Sequence, residues 1–181
     1  MKVARHRYFS IFSRWGLTIG VVCAVFTSQA IALSSDREKP IHITSDSADL
    51  DDAAGIATYY GNVVMTQGST QLKGSTITIY TSNRDIQRIV SEGGDELAHY
   101  QEDQDKNKGI LNAWGETINY NLSTETVELI KQARLVQNGD TFTGDRIEYN
   151  QSKEIVNAQG KKGKSSGGRV QMVIKPNQPK G

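Results

Sequence analysis

Apolar and polar residues alternate with a period of two along most of this chain. The apolar positions that follow this period are Ile41 and Ile43; Ala57 and Tyr59; Val63 and Met65; Ile77 and Ile79; Ile118 and Tyr120; Val127 and Leu129; Ile147 and Tyr149; and Val170, Met172 and Ile174. Alternation that is rich in β-branched and aromatic residues is typical of half-buried strands. No window has a convincing helical period, so the pattern predicts an all-β fold.

Prolines and polar clusters divide this alternating region. No proline occurs between Ile41 and Lys175, and Pro40 and Pro176 bracket the interval. Because proline removes a donor from a sheet, its absence suits uninterrupted strands. Polar clusters that favour turns separate the strands at Asp51–Gly55, Thr81–Asp85, Asn121–Glu125 and Asn150–Glu154. These features predict one domain over residues 40–175, built as a solenoid-like stack of antiparallel hairpins.

One signature, a small residue followed by two polar positions and then an apolar, polar, apolar run, recurs four times. It occurs at Gly144–Tyr149, Gly115–Tyr120, Gly74–Ile79 and, starting with serine, Ser45–Leu50. Recurrence of this kind is the mark of repeat architectures, in which each unit buries its apolar face against its neighbours. We therefore expect the small residue to mark a bend and the apolar positions to form ladders along one face.

A longer register supports the repeat. A single offset without a gap pairs Leu50 with Tyr120, Tyr59 with Leu129, Met65 with Leu135, Gln67 with Gln137, Leu72 with Phe142, Gly74 with Gly144 and Ile77 with Ile147. The middle interval between signatures is longer than the other two, which we interpret as an insertion at Glu92–Gly109. Its wholly polar part, Gln101–Lys108, is predicted to be a solvated hairpin tip.

The segment 1–32 has the pattern of a secretory signal peptide. Basic residues precede a short apolar run from Trp15 to Phe26, and small residues lead up to Ala30 and Ala32. We expect cleavage after Ala32 or Ala30, a periplasmic mature protein, a disordered mature N-terminus at residues 33–39 and a disordered tail at 176–181. An uncleaved anchor is the alternative reading.

Charge and cysteine content narrow the possible functions. The full chain has 21 Lys and Arg and 20 Asp and Glu. Removing residues 1–32 leaves 17 basic and 20 acidic residues, a net charge of −3, and we expect no nucleic-acid partner because phosphate binding needs clustered positive charge. The only cysteine, Cys23, would also be removed, so disulfides cannot hold the mature fold.

The sequence offers little that could support catalysis or metal binding. His42 and His99 are the only histidines after residue 32, and neither lies in a known catalytic spacing. The run from Asp103 to Asn107 resembles a calcium loop, but its glycine is one position late and Trp114 replaces the closing glutamate. We predict no enzyme activity, no cofactor and no metal. The basic stretch Gly160–Gly168 is interpreted as a solvated linker, with a contact to lipid phosphates as the alternative.

The alternating apolar residues allow two interpretations of the interior. If two sheets are held slightly apart, their inner faces form a trough; if they pack together, the same residues form an ordinary core in which each contributes roughly 1.5 to 3 kcal/mol. The inward residues predicted from apolarity are Ile41, Ile43, Met65, Ile77, Ile79, Tyr120, Leu135 and Tyr149. Composition alone favours the ordinary core.

Several short segments, taken in order, resemble the OstA-like family of lipopolysaccharide-transport proteins. They are Pro40–Asp46; Gly61, Asn62 and Val63; Gln67 and Gly68; Leu135–Gln137; and the signatures at Gly115 and Gly144. The resemblance covers roughly Pro40 to Ile174, and the longer Gly, Lys and Ser stretch before Arg169 departs from it. It implies an open, twisted antiparallel β-jellyroll that carries lipopolysaccharide from the inner to the outer membrane, with lipid A acyl chains in an apolar groove. It extends the lipid-binding set to His99, Ile118 and Ile147.

The two terminal strands are expected to make assembly contacts. An unpaired strand edge recruits other strands, and a different edge at each end produces head-to-tail chains. The predicted assembly residues are Ile41 and Ile43 at one edge, and Val170, Met172 and Ile174 in a last strand over Arg169–Lys175. The resemblance implies an inner-membrane anchored partner of the same fold (LptC-like) and an outer-membrane translocon (LptD-like). The alternative is a structural or adhesive β-solenoid with a dry core and no lipid cargo; a carbohydrate-active β-helix is a weaker one.

Overall fold

The described part of the computed structural model, residues 36–104, 108–161 and 168–176, is built almost entirely of β-strands. The strands in these ranges are β1 (Ile41–Thr44), β2 (Ser47–Asp51), β3 (Ile56–Gln67), β4 (Thr70–Ser82), β5 (Asp85–Glu92), β6 (Ala98–Asp103), β7 (Ile110–Gly115), β8 (Thr117–Asn121), β9 (Thr126–Gln137), β10 (Asp140–Asn150), β11 (Ile155–Gln159) and β12 (Gln171–Val173). All the pairings among them are antiparallel. The expected all-β fold is therefore confirmed.

Four long strands, β3, β4, β9 and β10, each run through two sheets. Within the described residues, sheet I has the order β1, β3, β4, β6, β7, β9, β10, β12, and uses the part of each long strand nearest the β3–β4 or β9–β10 turn. Sheet II has the order β2, β3, β4, β5, β8, β9, β10, β11 and uses the other parts. Since buried residues of both sheets form a single hydrophobic cluster, the sheets face each other across one core.

The chain passes between the sheets at irregular bends. The β3–β4 register shifts between Tyr60 and Val63, where Gly61 and Asn62 both have positive φ. The equivalent bend in β9 contains Lys131 and Gln132, again with positive φ, and the register between β9 and β10 shifts at Gly144. Bulges of this kind bend a strand and increase its twist. The bends therefore form one side of the molecule, and the hairpin turns of the two sheets form the other, which we call the mouth.

The long repeat is visible in the strand boundaries. The offset that aligns Leu50 with Tyr120 also places both ends of β3 on those of β9, and both ends of β2 on those of β8. Two of the signature glycines, Gly74 and Gly144, lie at bends within strands, and Gly115 lies where β7 passes into β8. The expectation that the small residue marks a bend is met at these glycines.

The predicted insertion at Glu92–Gly109 forms regular structure. Strand β6 pairs with β4 and β7, so the segment completes sheet I in the middle of the molecule. The solvated tip is shorter than expected because β6 continues to Asp103, and residues 105–107 lie outside the described ranges. In the second repeat the counterpart of β6 is β12, which pairs with β10. The segment Glu92–Gly109 is therefore part of the repeat.

Three of the four predicted turns share one side-chain cap. Asp51 Oδ1 accepts a hydrogen bond from the Ala54 N–H at 2.9 Å, and Asn121 Oδ1 accepts one from Thr124 at 3.0 Å. Asn150 does the same for Lys153 at 2.8 Å. This is the local geometry for which Asn and Asp are favoured in turns. The polar clusters therefore specify where these hairpins of sheet II reverse.

The described chain starts with a short 3-10 turn, Asp36–Glu38, where the sequence predicted disorder. Asp36 accepts a hydrogen bond from the Ser69 N–H at 2.9 Å, and the Gln67 side chain donates to the Lys39 carbonyl at 3.0 Å. At the other end, β12 is shorter than the strand predicted over Arg169–Lys175. The predicted signal peptide and most of the predicted tail and basic linker lie outside the described residues. No helix in the described part of the chain is long and apolar enough to cross a membrane.

Candidate functional site

The inner faces of the two sheets carry continuous cross-strand rows of mainly apolar side chains. In sheet I the row runs Ile43, Met65, Leu72, Tyr100, Ala113, Leu135, Phe142, Met172. In sheet II one row runs Ala48, Tyr59, Ile77, Ser91, Ile118, Leu129, Ile147, Ala158, and a second runs Leu50, Ala57, Ile79, Ile89, Tyr120, Val127, Tyr149, Val156. The polar Ser91 is buried and donates a hydrogen bond to the Lys73 carbonyl at 2.9 Å. Each row extends from the N-terminal edge strands to the C-terminal ones.

Burial along these rows is greatest in the middle and falls toward both ends. Met65, Ile118 and Leu135 have no exposed surface. At the N-terminal end Leu50 is 67% exposed, and at the C-terminal end Met172 is 51% exposed. The interior is thus packed at its centre and opens to solvent at both ends.

The structure places nine of the eleven predicted lipid-binding residues on these rows. Ile43, Met65 and Leu135 lie in sheet I, and Ile77, Ile79, Ile118, Tyr120, Ile147 and Tyr149 lie in sheet II. Ile41 is next to Ile43 on the same face and packs against the core from the N-terminal edge. Contact with lipid at these positions stays a prediction.

His99 does not have the inner-face position predicted for it. Its neighbours Ala98 and Tyr100 are fully buried, so the alternation of β6 directs His99 to the outer face. There its ring stacks on Trp114 at 4.9 Å between centroids with an interplanar angle of 13°, and Arg134 lies 5.0 Å over the Trp114 ring. Burial lowers the pKa of His99, its hydrogen bond with Asn112 opposes this effect, and the charge of Lys73 adds to the lowering.

A second row on the inner face of sheet I, next to the mouth, is mostly polar. It contains Gln67 and Thr70, both buried, and Glu102 opposite the buried Leu111. Sequence reasoning missed this row because Glu102 was assigned to a solvated hairpin tip, and Gln67 and Thr70 were not assigned to either face. The period-two alternation, which puts Glu102 on the same face as Tyr100, was the signal that could have found it.

Hydrogen bonds from this region cross the mouth to sheet II. The Gln104 side-chain amide donates to the Tyr149 hydroxyl at 2.8 Å. The Gln151 amide lies 2.9 Å from the Tyr100 hydroxyl and 2.8 Å from a Glu102 carboxylate oxygen. Further out, Lys108 and Glu154 form an ion pair.

The two tyrosines of these contacts stand at the boundary between the core and the mouth. The Tyr100 ring packs edge-on against Tyr120 with centroids 5.7 Å apart. Burial raises the pKa of Tyr100 well above its usual value and raises the pKa of Tyr149 as well. Both phenols therefore stay neutral at physiological pH, and their oxygens accept hydrogen bonds.

The ends of the sheets present the predicted assembly residues. Strand β1, with Ile41 and Ile43, pairs only with β3 among the described strands, and β12, with Met172, pairs only with β10. Val170 and Ile174 flank β12 and are 41% and 63% exposed. In the described part of the chain, no group of three or more His, Cys, Asp or Glu side chains could hold a metal ion.

Comparisons with known proteins identify the family to which this sequence is similar. Residues 42–155 match the model of the family described as LptA/(LptD N-terminal domain) LPS transport protein. The lipopolysaccharide export system protein LptH of Pseudomonas aeruginosa is 43% identical over 164 residues, which cover 88% of this chain and 93% of that protein. LptA of Escherichia coli K12 is 30% identical over 149 residues, covering 82% of this chain and 78% of that protein.

A solved structure matches this fold over most of the chain. The crystal structure of LptH, titled as the LptA-homologous periplasmic component of a lipopolysaccharide transport device from Pseudomonas aeruginosa, superposes with a TM-score of 0.70 at 40% identity. The match covers 78% of this chain and 99% of that one. The β-jellyroll expected from the sequence is therefore confirmed, and the matched relatives are named as export proteins rather than as enzymes.

Proposed function

This chain belongs to the family of LPS transport proteins that contains LptA and the LptD N-terminal domain, and from this premise we propose how its fold performs that function. The protein is a carrier of lipopolysaccharide. The acyl chains lie along the apolar rows between the two sheets, and the sugars remain outside the mouth. The observation that carries the proposal is the continuous inner lining, which runs from the exposed Leu50 to the exposed Met172.

The energetics of acyl chains in water explain why such a lining is needed. Transferring hydrocarbon out of water gains about 0.8 kcal/mol per methylene. A chain of about twelve carbons therefore costs on the order of 10 kcal/mol when it is exposed between two membranes. An apolar interior that continues from one end of the protein to the other removes most of this cost at every point along the path.

The exposed ends support assembly into a continuous path. We propose that β1 pairs with an inner-membrane anchored partner of the same fold (LptC-like). The β12 edge pairs with the next copy or with an outer-membrane translocon (LptD-like). Because the two edges differ, each contact is head-to-tail, and the inner rows of successive protomers join. Location in the periplasm, reached through a cleaved signal peptide, is part of this proposal and agrees with the periplasmic relative LptH.

Photo-crosslinking from the inner face tests the lipid path. A photoreactive amino acid at Tyr120, which is 2% exposed on the inner face of β8, should crosslink to lipopolysaccharide in cells. The same photoreactive residue at Asn119, one position away on the outer face, is the matched control. Crosslinks of equal yield from both positions, or from neither, would contradict an internal path.

Mass spectrometry separates this function from the alternative of a dry structural solenoid. Protein purified gently from the periplasm should carry lipopolysaccharide in the proposed function and no lipid in the alternative. Family membership already favours the carrier. A crosslinking signal from Ile43 at the N-terminal end would further locate where cargo is received.

A further inference from the structure

The polar groups that cross the mouth form a set that the proposed function does not yet use. We call Tyr100, Glu102, Gln104, Tyr149 and Gln151 the polar clasp. Three of its side chains belong to sheet I or the turn that follows β6, and two belong to β10 of sheet II or the turn that follows it. Its hydrogen bonds join residues 45 to 51 positions apart, so they are tertiary contacts between the two sheets.

The clasp lies where the interior changes from apolar to polar. The rings of Tyr100 and Tyr149 belong to the buried core, whereas their hydroxyls accept hydrogen bonds from the amides of Gln151 and Gln104. An acylated sugar has the same order of groups, because hydrocarbon is followed by ester or amide linkages and then by sugar. Amides and phenols match the carbonyl and hydroxyl groups of those linkages.

Charge decides which part of the lipid the clasp fits. Glu102 places a carboxylate at its centre, 2.8 Å from the Gln151 amide. A phosphate would be repelled at that position, whereas neutral carbonyl and hydroxyl groups would not. The recognised part is therefore the linkage region and not the phosphates.

The packed centre also restricts how cargo reaches the interior. The flanking rows have no exposed surface at Leu111, Leu129 and Ile147, so a chain with a bulky head group cannot enter between the sheets unless the mouth opens. The two bonds to the tyrosine hydroxyls join neutral groups and have modest net strength, since water replaces them when they break. The Gln151–Glu102 bond has a charged acceptor and is the strongest of the three. The Lys108–Glu154 ion pair at the rim is exposed and adds little.

We propose that the mouth opens at the polar clasp to let the head group of lipopolysaccharide pass as its acyl chains move along the interior, and that the clasp amides and phenols then bind the ester, amide and hydroxyl groups that join its acyl chains to sugar. This inference rests on the proposed function and deepens it. The same groups that hold the two sheets together exchange their partners for the cargo, so opening does not leave them unpaired.

A reversible lock across the mouth tests whether the mouth must open for binding. The predicted mature chain has no cysteine, so Lys108→Cys with Glu154→Cys can be joined by a bis-methanethiosulfonate reagent and released by reduction. The matched control is Gln87→Cys with Ser123→Cys, whose side chains are 2.9 Å apart but lie on one sheet. With purified lipopolysaccharide as the probe, locking the first pair should slow association at least tenfold, reduction should restore it, and locking the control pair should leave it unchanged.

Removal of one clasp amide tests recognition. Gln151→Leu should raise the dissociation rate of lipopolysaccharide by about tenfold, the effect of losing one or two neutral hydrogen bonds. Gln87→Leu, the same change outside the clasp, should leave the rate unchanged. Thermal unfolding of both variants without lipid confirms that each is folded.

The outcomes distinguish failure of this inference from failure of the proposed lipopolysaccharide-transport function. If the unmodified protein binds lipopolysaccharide but the locked protein binds equally fast, opening of the mouth at the clasp is refuted while transport stands. If Gln151→Leu releases cargo at the original rate, recognition by the clasp is refuted. If the unmodified protein does not bind lipopolysaccharide at all, the proposed function fails together with the inference.

Discussion

Replacing Ile147 by alanine tests whether the centre of the interior is packed as tightly as its burial indicates. Ile147 is fully buried on β10, between Leu129 on one neighbouring strand and Ala158 on the other. Because β10 is hydrogen-bonded on both sides, the surroundings can collapse only partly into the space that alanine leaves. We therefore expect a cost of about 2 to 5 kcal/mol, the usual range for this change in a core.

The matched control is Ile155→Ala on the adjacent strand β11. Ile155 is 47% exposed, so the same change should cost less than about 1 kcal/mol. For a domain of this size each kcal/mol lowers Tm by roughly 2 to 4 °C. Ile147→Ala should thus melt on the order of 10 °C below the unmodified protein, and Ile155→Ala within a few degrees of it.

Urea denaturation of the lipid-free proteins, followed by circular dichroism, provides the free energies. The m-value should stay the same in both variants, because neither changes the surface exposed on unfolding by much. A loss below about 1 kcal/mol for Ile147→Ala would refute the reasoning, since it would mean that the two sheets are already separated at this position.

Three further perturbations probe the outer face, the edge and the turns. The contribution of His99 to stability should fall as the pH drops below about 6.5, the ordinary pKa of histidine, and should level off below the lowered pKa of His99. Between these two pKa values the unfolded chain binds the proton more readily than the folded chain does. His99→Gln should therefore reduce the pH dependence of thermal melts between pH 8 and 5. Met172→Pro should weaken head-to-tail assembly in gel filtration without unfolding the protomer, whereas Met172→Leu, which keeps both the backbone N–H and an apolar side chain, should not. Gly55→Ala should lower the free energy of unfolding in urea more than Gly109→Ala does, although both glycines have a similar positive φ. A Cβ at Gly55 would lie 2.6 Å from the Thr81 carbonyl oxygen, whereas a Cβ at Gly109 would meet nothing within 4 Å.

The sequence predicted the local structure of this protein well, for a physical reason. Strand period, turn caps and bend residues are all decided by neighbouring residues, so Asn121 and Gly144 could be assigned without knowing the tertiary fold. Repetition strengthened these assignments, because the same strand, turn and bend patterns recur at one fixed offset in the second half of the domain. The segment at Glu92–Gly109 was misread because each repeat carries two signatures that are unequally spaced, so the longer interval belongs to the repeat; the common offset carries the C-terminal half of β6 onto β12.

The faces of individual strands and the contacts across the mouth were harder to predict. In β6 the alternation was clear from the sequence, but the face on which His99 lies was not. It followed only from the structure, in which Tyr100 is buried in the core. The polar clasp depends on which turn of sheet I lies opposite which turn of sheet II. That relation follows from the bends and twist of whole strands, and no short sequence window contains it.

The distribution of burial connects the fold to its proposed use. An ordinary sandwich would be expected to close its core at the ends as well as in the middle, since exposed apolar residues reduce stability and invite aggregation. Here the centre is closed by packing and by the clasp, while Leu50 and Met172 remain exposed at opposite ends of the same lining. Stacking a second protomer would bury these residues and extend the lining in one step. This distribution is what the proposed head-to-tail assembly requires of the two ends, and a mouth that opens at the clasp would let the head group move from one protomer to the next while the protomers stay paired.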